Sequence, residues 1–310
     1  GSDTTSDVPI AVSKKLRRRL LDLNRARSLG ERIKAALKGF SFGEFKPEFP
    51  GVAEPRTGKS MGESCEDMAK QWQIRREDQD LLAYESHQKA AAAYARGFYS
   101  DLVMPLRGLD KDNILRPDTT LEKLATLKPA FDKRSGNGTL TAGNSTNLSD
   151  GASAALLSSE AWAQANGKEI QAYLVDAQVA AVDFVAGEGL LMAPAWAVAQ
   201  LLKRNNLKLQ DFDFYEIHEA FAAQVLCTLK AWESEEFCKT KLGMDGALGS
   251  IDRSKLNVVG SSLALGHPFA ATGARIVATA AKLLKEKGQG RVLISICTAG
   301  GMGVAAIVER

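Results

Sequence analysis

Residues 256–310 read LNVVGSSLALGHPFAATGARIVATAAKLLKEKGQGRVLISICTAGGMGVAAIVER, and two reactive side chains in this stretch sit on glycine-rich turns. His267 stands between Gly266 and Pro268 in a loop of small residues, just ahead of a helical pattern from Ala271 to Lys287. Cys297 follows the apolar strand Val292 to Ile296 and precedes Gly300, Gly301 and Gly303. Such turns free backbone N–H groups and let the main chain approach a ligand. A thiol there ionises when a cation or helix N-terminus is near, and an unperturbed histidine titrates close to neutrality. A buried cysteine and a turn histidine would fit the same spacing, so the pair needs support from elsewhere in the chain.

Working outward, strands and helices alternate from about residue 168. Ala172 to Val179 reads as a strand, Pro194 suits the first turn of a helix running to Arg204, and Phe212 to Ile217 reads as a strand leading into His218 and the helix of HEAFAAQVLCTLKAW. This alternation predicts a layered α/β core. Asp150 to Gln164 reads as an alanine-rich helix, Leu102 to Thr146 as loops with short strands, and Met61 to Trp72 and Arg76 to Gly97 as helices, the second ended by Gly97. His87 lies inside that second helix and is assigned no role. Residues 40–60, rich in Gly, Pro and Phe, read as a loop.

Residues 14–38 carry ten Lys or Arg against two acids, Asp22 and Glu31, so the segment is +8 while the whole chain is +3. Leu16, Leu20 and Leu23 recur at helical spacing, and Ser28 with Glu31 reads as a capping box opening a second helix. The result is a basic amphipathic hairpin. It is either a solvated charged face or a surface for anionic lipid or the phosphates of an acidic ligand. Nucleic acid is disfavoured because no aromatics interleave the charges for base stacking.

With 45% hydrophobic and 25% charged residues, the composition is that of a globular chain. No apolar run approaches the ~18 to 20 residues of a spanning helix, and GSDTTSDVPI reads as neither a signal nor a transit peptide. Any targeting segment is expected outside these residues. The 4 cysteines and 3 histidines are too scattered for a metal site, and sparse cysteine suggests a reducing compartment with free thiols. Neither a disulfide nor zinc is expected.

GHPFAATGAR and CTAGGMG resemble the two C-terminal signatures of the thiolases, and HEAFAA (His218 to Ala223) resembles a third. MGESCEDMAKQWQIRREDQDLLAYESHQKAAAA and LKPAFDKRSGNGTLTAGNSTNLSDGASA resemble earlier family segments in the same order, so the likeness spans nearly the whole chain. It implies an α/β fold with a thiolase-like layered α-β-α core and an inserted loop domain. The segments then divide as a loop domain at 1–148 with the basic hairpin, a remnant of the N-terminal core at 149–167, and a C-terminal core at 168–310. The first half, with a nucleophilic cysteine in a Cys-x-Ser-Gly type context, has no counterpart in these residues: Cys65, Cys227 and Cys238 stand in other contexts and read as structural or surface thiols. Leu156 and Leu157 are expected to be left partly uncovered.

The resemblance assigns His267 as the base that activates the upstream cysteine, Cys297 as the acid/base for the substrate α-carbon or the CoA sulfur, and His218 as holder of a water that, with His267, donates to the thioester oxygen. Ala299 stands where the family often has glycine in the oxyanion turn; its N–H still donates, but alanine resists a positive φ. Met61, Arg116, Ala142, Thr146 and Phe221 fall where related enzymes contact CoA. Coenzyme A is expected as co-substrate, with no covalently bound cofactor and no metal. HEAF in place of the commoner NEAF points to the trifunctional-enzyme type of subunit. The implied activity is thiolytic cleavage of medium or long 3-ketoacyl-CoA in β-oxidation, with acetoacetyl-CoA synthesis or a non-catalytic CoA-binding or assembly subunit as alternatives. A homodimer or tetramer is expected, with a hydratase/dehydrogenase subunit and an anionic membrane surface as further partners. Localisation would be cytoplasmic in a bacterium and mitochondrial in a eukaryote.

Overall fold

The computed structural model describes all of residues 1–310. In chain order the strands are β1 Ser2–Asp3, β2 Ala11–Val12, β3 Pro47–Glu48, β4 Gly151–Ala152, β5 Tyr173–Ala181, β6 Phe214–Ile217, β7 Arg291–Thr298 and β8 Met302–Glu309. The helices are α1 Lys14–Arg25, α2 Leu29–Leu37, α3 Met61–Gln71, α4 Arg76–Ala95, α5 Leu121–Ala125, α6 Glu160–Ala165, α7 Ala193–Asn205, α8 Ala222–Glu233, α9 Glu235–Thr240, α10 Ser262–Leu265 and α11 Thr272–Lys287. No helix is long and apolar enough to cross a membrane.

β5, β8, β7 and β6 form a sheet in that order, with β6 parallel to β7 and the other two pairings antiparallel. Alternate residues of a strand face opposite sides, and both sides of this sheet are covered. Val292, Ile294, Ala306 and Val308 pack on Ile276, Ala280 and Leu284 of α11. Leu293, Cys297, Ala305 and Ile307 join a larger core with α7 and α8, to which α3 and α4 contribute Cys65, Met68, Leu82 and Ala83. The register therefore fixes Cys297 on the α7/α8 side.

The chain forms two compact units, Thr4–Val52 and Gly1–Asp3 with Ala53–Arg310. Residues 53–148, expected to share a loop domain with the hairpin, instead lie in one unit with 168–310, because α3 and α4 pack against α8 and α4 against α10. In the smaller unit the hairpin forms as anticipated: Ser13 Oγ accepts from Leu16 N at 3.2 Å, and Ser28 and Glu31 complete a capping box. Arg19 closes it. Its guanidinium donates to both carboxylate oxygens of Glu44, at 2.8 and 2.7 Å, and to the carbonyls of Ala35 and Ala36 near the end of α2.

Two segments depart from expectation. The helix anticipated over Asp150 to Gln164 is confined to α6, while Gly151–Ala152 pair with β1. A short helix owes its stability mainly to a buried face, and here Leu156, Leu157 and Trp162 are 72%, 65% and 44% exposed. Between Leu102 and Thr146 there are no strands; α5 and isolated bridges such as Pro129 to Thr141 take their place.

Candidate active site

The carboxyl ends of the parallel strands β6 and β7 are where an α/β sheet offers a ligand its crevice, and the chemistry-bearing residues gather there. His218 follows β6 directly, and its backbone N–H donates to Ser295 O at 2.9 Å, extending the pairing with β7 by one residue. HEAF is thus a strand-to-helix turn, with α8 starting only at Ala222, rather than the first turn of a helix. Cys297 lies two residues beyond Ser295 on β7. His267 arrives on the loop between α10 and α11. Gly266 permits that arrival with φ 87, where a side chain would lie 2.4 Å from Ser149 Oγ.

The His218 and His267 rings are 4.3 Å apart between centroids. His267 Nδ1 pairs with Thr272 Oγ1 at 2.7 Å, and its backbone N–H donates to Asn147 O, 3.3 Å away. Burial, then the Arg275 guanidinium, pushes its pKa down to about 4, so the ring is neutral and free to accept a proton. His218 is fully buried. Its Nδ1 is 2.9 Å from Ser262 Oγ, its Nε2 has no hydrogen-bond partner, and burial, His267 and Arg275 together hold it well below the usual histidine range. Cys297 is 5% exposed, and burial pushes its thiol up to about 12. At neutral pH it is an acid that holds its proton.

The turn after Cys297 places the left-handed geometry on Gly300 and Gly301, each with φ 74, and not on Ala299. The alanine is therefore accommodated, with its N–H retained. Behind the histidines, Glu219 joins four segments. It accepts from Ser86 Oγ of α4 at 2.7 Å, from Asn257 Nδ2 at 2.6 Å and from Leu263 N at 3.2 Å. Asn257 also brackets Ile217, accepting from its N–H and donating to its carbonyl. Neighbouring Glu216 is buried with both carboxyl oxygens unpaired, and burial raises it to about 8, so it is protonated at neutral pH.

A cavity of about 270 Å³ opens between α4, the segment 114–127 that contains α5, and the segment 142–147, lined among others by His87, Ile114, Arg116, Ala142, Ser145 and Leu263. Asn147, another lining residue, accepts from the backbone N–H of His267. Of the five residues expected at CoA, Arg116 and Ala142 line this cavity. Thr146 is next to it in the chain, but its hydroxyl is engaged, donating to Ser262 O at 2.8 Å. Phe221 is 9% exposed and packs edge-on against Phe131. Met61, at the start of α3, is half-buried against the main core and does not line the cavity.

His87, assigned no role from sequence, does line it; its Nδ1 accepts from Arg116 N at 3.2 Å, and burial lowers its pKa to about 4. Sequence reasoning also passed over Ser86, Asn257, Ser262 and Arg275. Three of these lie in the glycine-rich stretch around His267, but nothing in their spacing reveals that they face its partners. All four cysteines are buried; Cys65, Cys227 and Cys238 are core thiols rather than surface ones.

Residues 168–310 match the family model for the thiolase C-terminal domain, and residues 42–161 match that for the thiolase N-terminal domain. The second match takes in most of the segment read as the inserted loop domain and residues 149–161 of the expected core remnant. The 3-ketoacyl-CoA thiolase of Shewanella sediminis is 45% identical over 315 residues, covering 100% of this chain and 71% of the relative, and that of Shewanella baltica gives the same figures. In three dimensions the chain is similar to the acetyl-CoA acetyltransferase of Bacillus anthracis, with a TM-score of 0.73 and 32% identity over 100% of this chain and 70% of that one.

Proposed function

This chain belongs to the thiolase family of acyltransferases, and from that premise we propose that it carries the acid–base and oxyanion machinery for cleaving a 3-ketoacyl-CoA with CoA. The observation that supports this most is the convergence of two neutral histidines, 4.3 Å apart, at the strand ends beside a protonated buried thiol.

In this reading a cysteine thiolate attacks the 3-keto carbon after His267 takes the thiol proton. The C2–C3 bond breaks, the electrons pass to an acetyl-CoA enolate, and Cys297 protonates its α-carbon. Acetyl-CoA leaves. The Cys297 thiolate then takes the proton from the incoming CoA sulfur, which attacks the acyl-enzyme, releases the nucleophilic cysteine and yields the shortened acyl-CoA. His267, together with a water held by His218, donates to the thioester oxygen as it gains charge, and such donors contribute about 2.7 to 4 kcal/mol each to transition-state stabilisation. Every step is proton or acyl transfer, so coenzyme A enters only as co-substrate and no metal is required.

The nucleophile itself is not among Cys65, Cys227 and Cys238. The first and second are held protonated by burial, and the third is sealed in the core with its thiol donating to the Ala231 and Trp232 carbonyls. We assign it to a segment outside residues 1–310. Arg116 and Ala142 are the residues in this reading that meet CoA, in the cavity leading toward His267. The higher identity to 3-ketoacyl-CoA thiolases favours degradation over acetoacetyl-CoA synthesis.

The test is thiolysis of a 3-ketoacyl-CoA at saturating CoA by this chain, beside Cys297→Ala. CoA binding without turnover is expected. Turnover by this chain that the substitution abolishes would place the nucleophile within residues 1–310 and overturn the scheme. With the nucleophile supplied by the full-length protein, Cys297→Ala should lower kcat about 10²- to 10⁴-fold.

For the hairpin, the same proposal includes an anionic membrane surface. Leu29 and Leu37 are 76% and 69% exposed among its basic residues, the combination that seats an amphipathic helix in a lipid interface. Phosphatidylserine vesicles should retain the protein at low salt and release it at 0.5 M salt; equal affinity for neutral vesicles would end this reading. Assembly as a homodimer or tetramer, and with a hydratase/dehydrogenase subunit, rests on the family resemblance.

A further inference from the structure

Ser262 Oγ sits between two partners. Arg275 Nη2 is 2.9 Å away on one side and His218 Nδ1 is 2.9 Å away on the other. The serine is itself fixed, because its carbonyl accepts from Thr146 Oγ1 at 2.8 Å and from Gly266 N at 2.8 Å. A guanidinium has only donors and keeps its charge at any pH a protein survives. The Arg275 contact therefore occupies a serine lone pair.

That leaves the single hydroxyl hydrogen of Ser262, and the one acceptor in reach is His218 Nδ1. Were Nδ1 protonated instead, two donors would converge on one oxygen, the hydroxyl hydrogen would be stranded in a fully buried site, and Nε2 would become an unmatched acceptor. We propose that Arg275 and Ser262 are positioning residues that lock His218 as the Nε2–H tautomer, turning its partnerless Nε2 into a fixed hydrogen-bond donor for the oxygen of the water it holds.

The chain of donors runs Arg275 to Ser262 to His218 to water, all in one direction. It solves a problem peculiar to histidine at an oxyanion position. An imidazole with a free choice of tautomer can turn a lone pair toward the oxygen it should donate to, and a relay ending in a cation removes that choice. The same cation opposes protonation of either ring, which keeps His218 a neutral donor and leaves His267 able to serve as base. This inference deepens the thiolysis reading and rests on it for the identity of the oxygen, but not for the tautomer.

The test is nitrogen-15 NMR of the imidazole rings in the chain as it stands, with His218 assigned through its backbone. Only 3 histidines contribute. The wild type should show Nε2 protonated and Nδ1 as a hydrogen-bonded acceptor from pH 6 to 8. A protonated Nδ1 would overturn the proposal. In Ser262→Ala the Nδ1 resonance should move to that of an unbonded nitrogen, and Ser262→Thr should restore it; an unchanged Nδ1 in the alanine variant would equally overturn it.

In the full-length protein, Ser262→Ala should lower kcat tenfold or more while leaving KM for the acyl-CoA within twofold, with recovery in Ser262→Thr. The locked tautomer together with an unchanged kcat in Ser262→Ala would mean that turnover does not need the lock. That result would overturn the positioning role proposed here while leaving the thiolysis reading intact.

Discussion

The basic hairpin and the strand-end site handle burial in opposite ways. In Thr4–Val52 the buried residues include an ion pair, Arg19 with Glu44, while Leu29, Leu37, Phe42 and Phe49 are exposed. Ala53–Arg310 has an extensive apolar core, and the polar groups buried in it include those around the candidate chemistry, His218, Glu219, Asn257, Ser261 and Ser262. A small unit with little apolar interior is held by directional contacts, with Arg19 bonding at once to Glu44 and to the end of α2. A large unit can bury enough carbon to carry polar residues that contribute function more than stability. Removing one contact should therefore loosen the hairpin, whereas removing one site contact should damage chemistry before fold.

Among changes that set the two regions against each other, the largest expected effect comes from their glycines. Gly266 and Gly39 both have positive φ, but a side chain at Gly266 meets Ser149 Oγ at 2.4 Å and Ile114 Cδ1 at 2.8 Å, while at Gly39 it meets nothing within 4 Å. Gly39→Ala should cost only backbone strain, about 1 to 2 kcal/mol confined to the hairpin. Gly266→Ala should displace His267, and a shift near 1 Å lowers turnover about 10²-fold. Steady-state kinetics of both variants, with the proposed nucleophile-bearing segment present, would decide. Equal, small losses would mean that Gly266 is not what sets His267.

Arg19→Met should act next most strongly, and locally. Glu44 is held down at about 2 by the Arg19 guanidinium, and without that partner the hairpin should become accessible to limited proteolysis within residues 4–52. Melting of the larger unit should not move. Protection unchanged from wild type would show that the exposed leucines and phenylalanines, not the ion pair, organise this unit.

The smallest effect is a pH dependence. His87 and His267 are both near 4 when folded, against about 6.5 for free histidine. Their contribution to stability is complete above pH 6.5 and is lost as pH falls toward 4, because the unfolded chain takes up protons that the folded one refuses. Glu216, raised to about 8, works in the opposite sense, with its contribution complete below its ordinary carboxyl range and lost as pH rises toward 8. Since His87→Gln leaves that group alone, the variant should lose about 2 kcal/mol less than wild type between pH 7 and pH 5 in urea unfolding. Parallel curves would mean that His87 titrates normally in the fold.

Much was legible from periodicity and end signals. Ser28 with Glu31 announced α2, Pro194 the first turn of α7, and Gly97 the end of α4, because caps and alternation are local and each is satisfied by neighbours in the chain. The helix over Asp150 to Gln164 failed for the complementary reason: alanine content favours helix, but only a packing partner for Leu156 and Leu157 would have stabilised it.

At the site, residue type and glycine context singled out His267 and Cys297, and motif resemblance added His218. The sequence by itself determined which side chains are capable of the chemistry. Only the tertiary structure decided their states: that burial holds Cys297 as an acid, that Ala299 escapes the positive φ carried by Gly300 and Gly301, and that Arg275, from a different helix, reaches Ser262 behind His218. Protonation and tautomer depend on desolvation and on partners brought together from distant segments, 13 and 44 residues apart in that relay, and neither quantity is a property of local sequence.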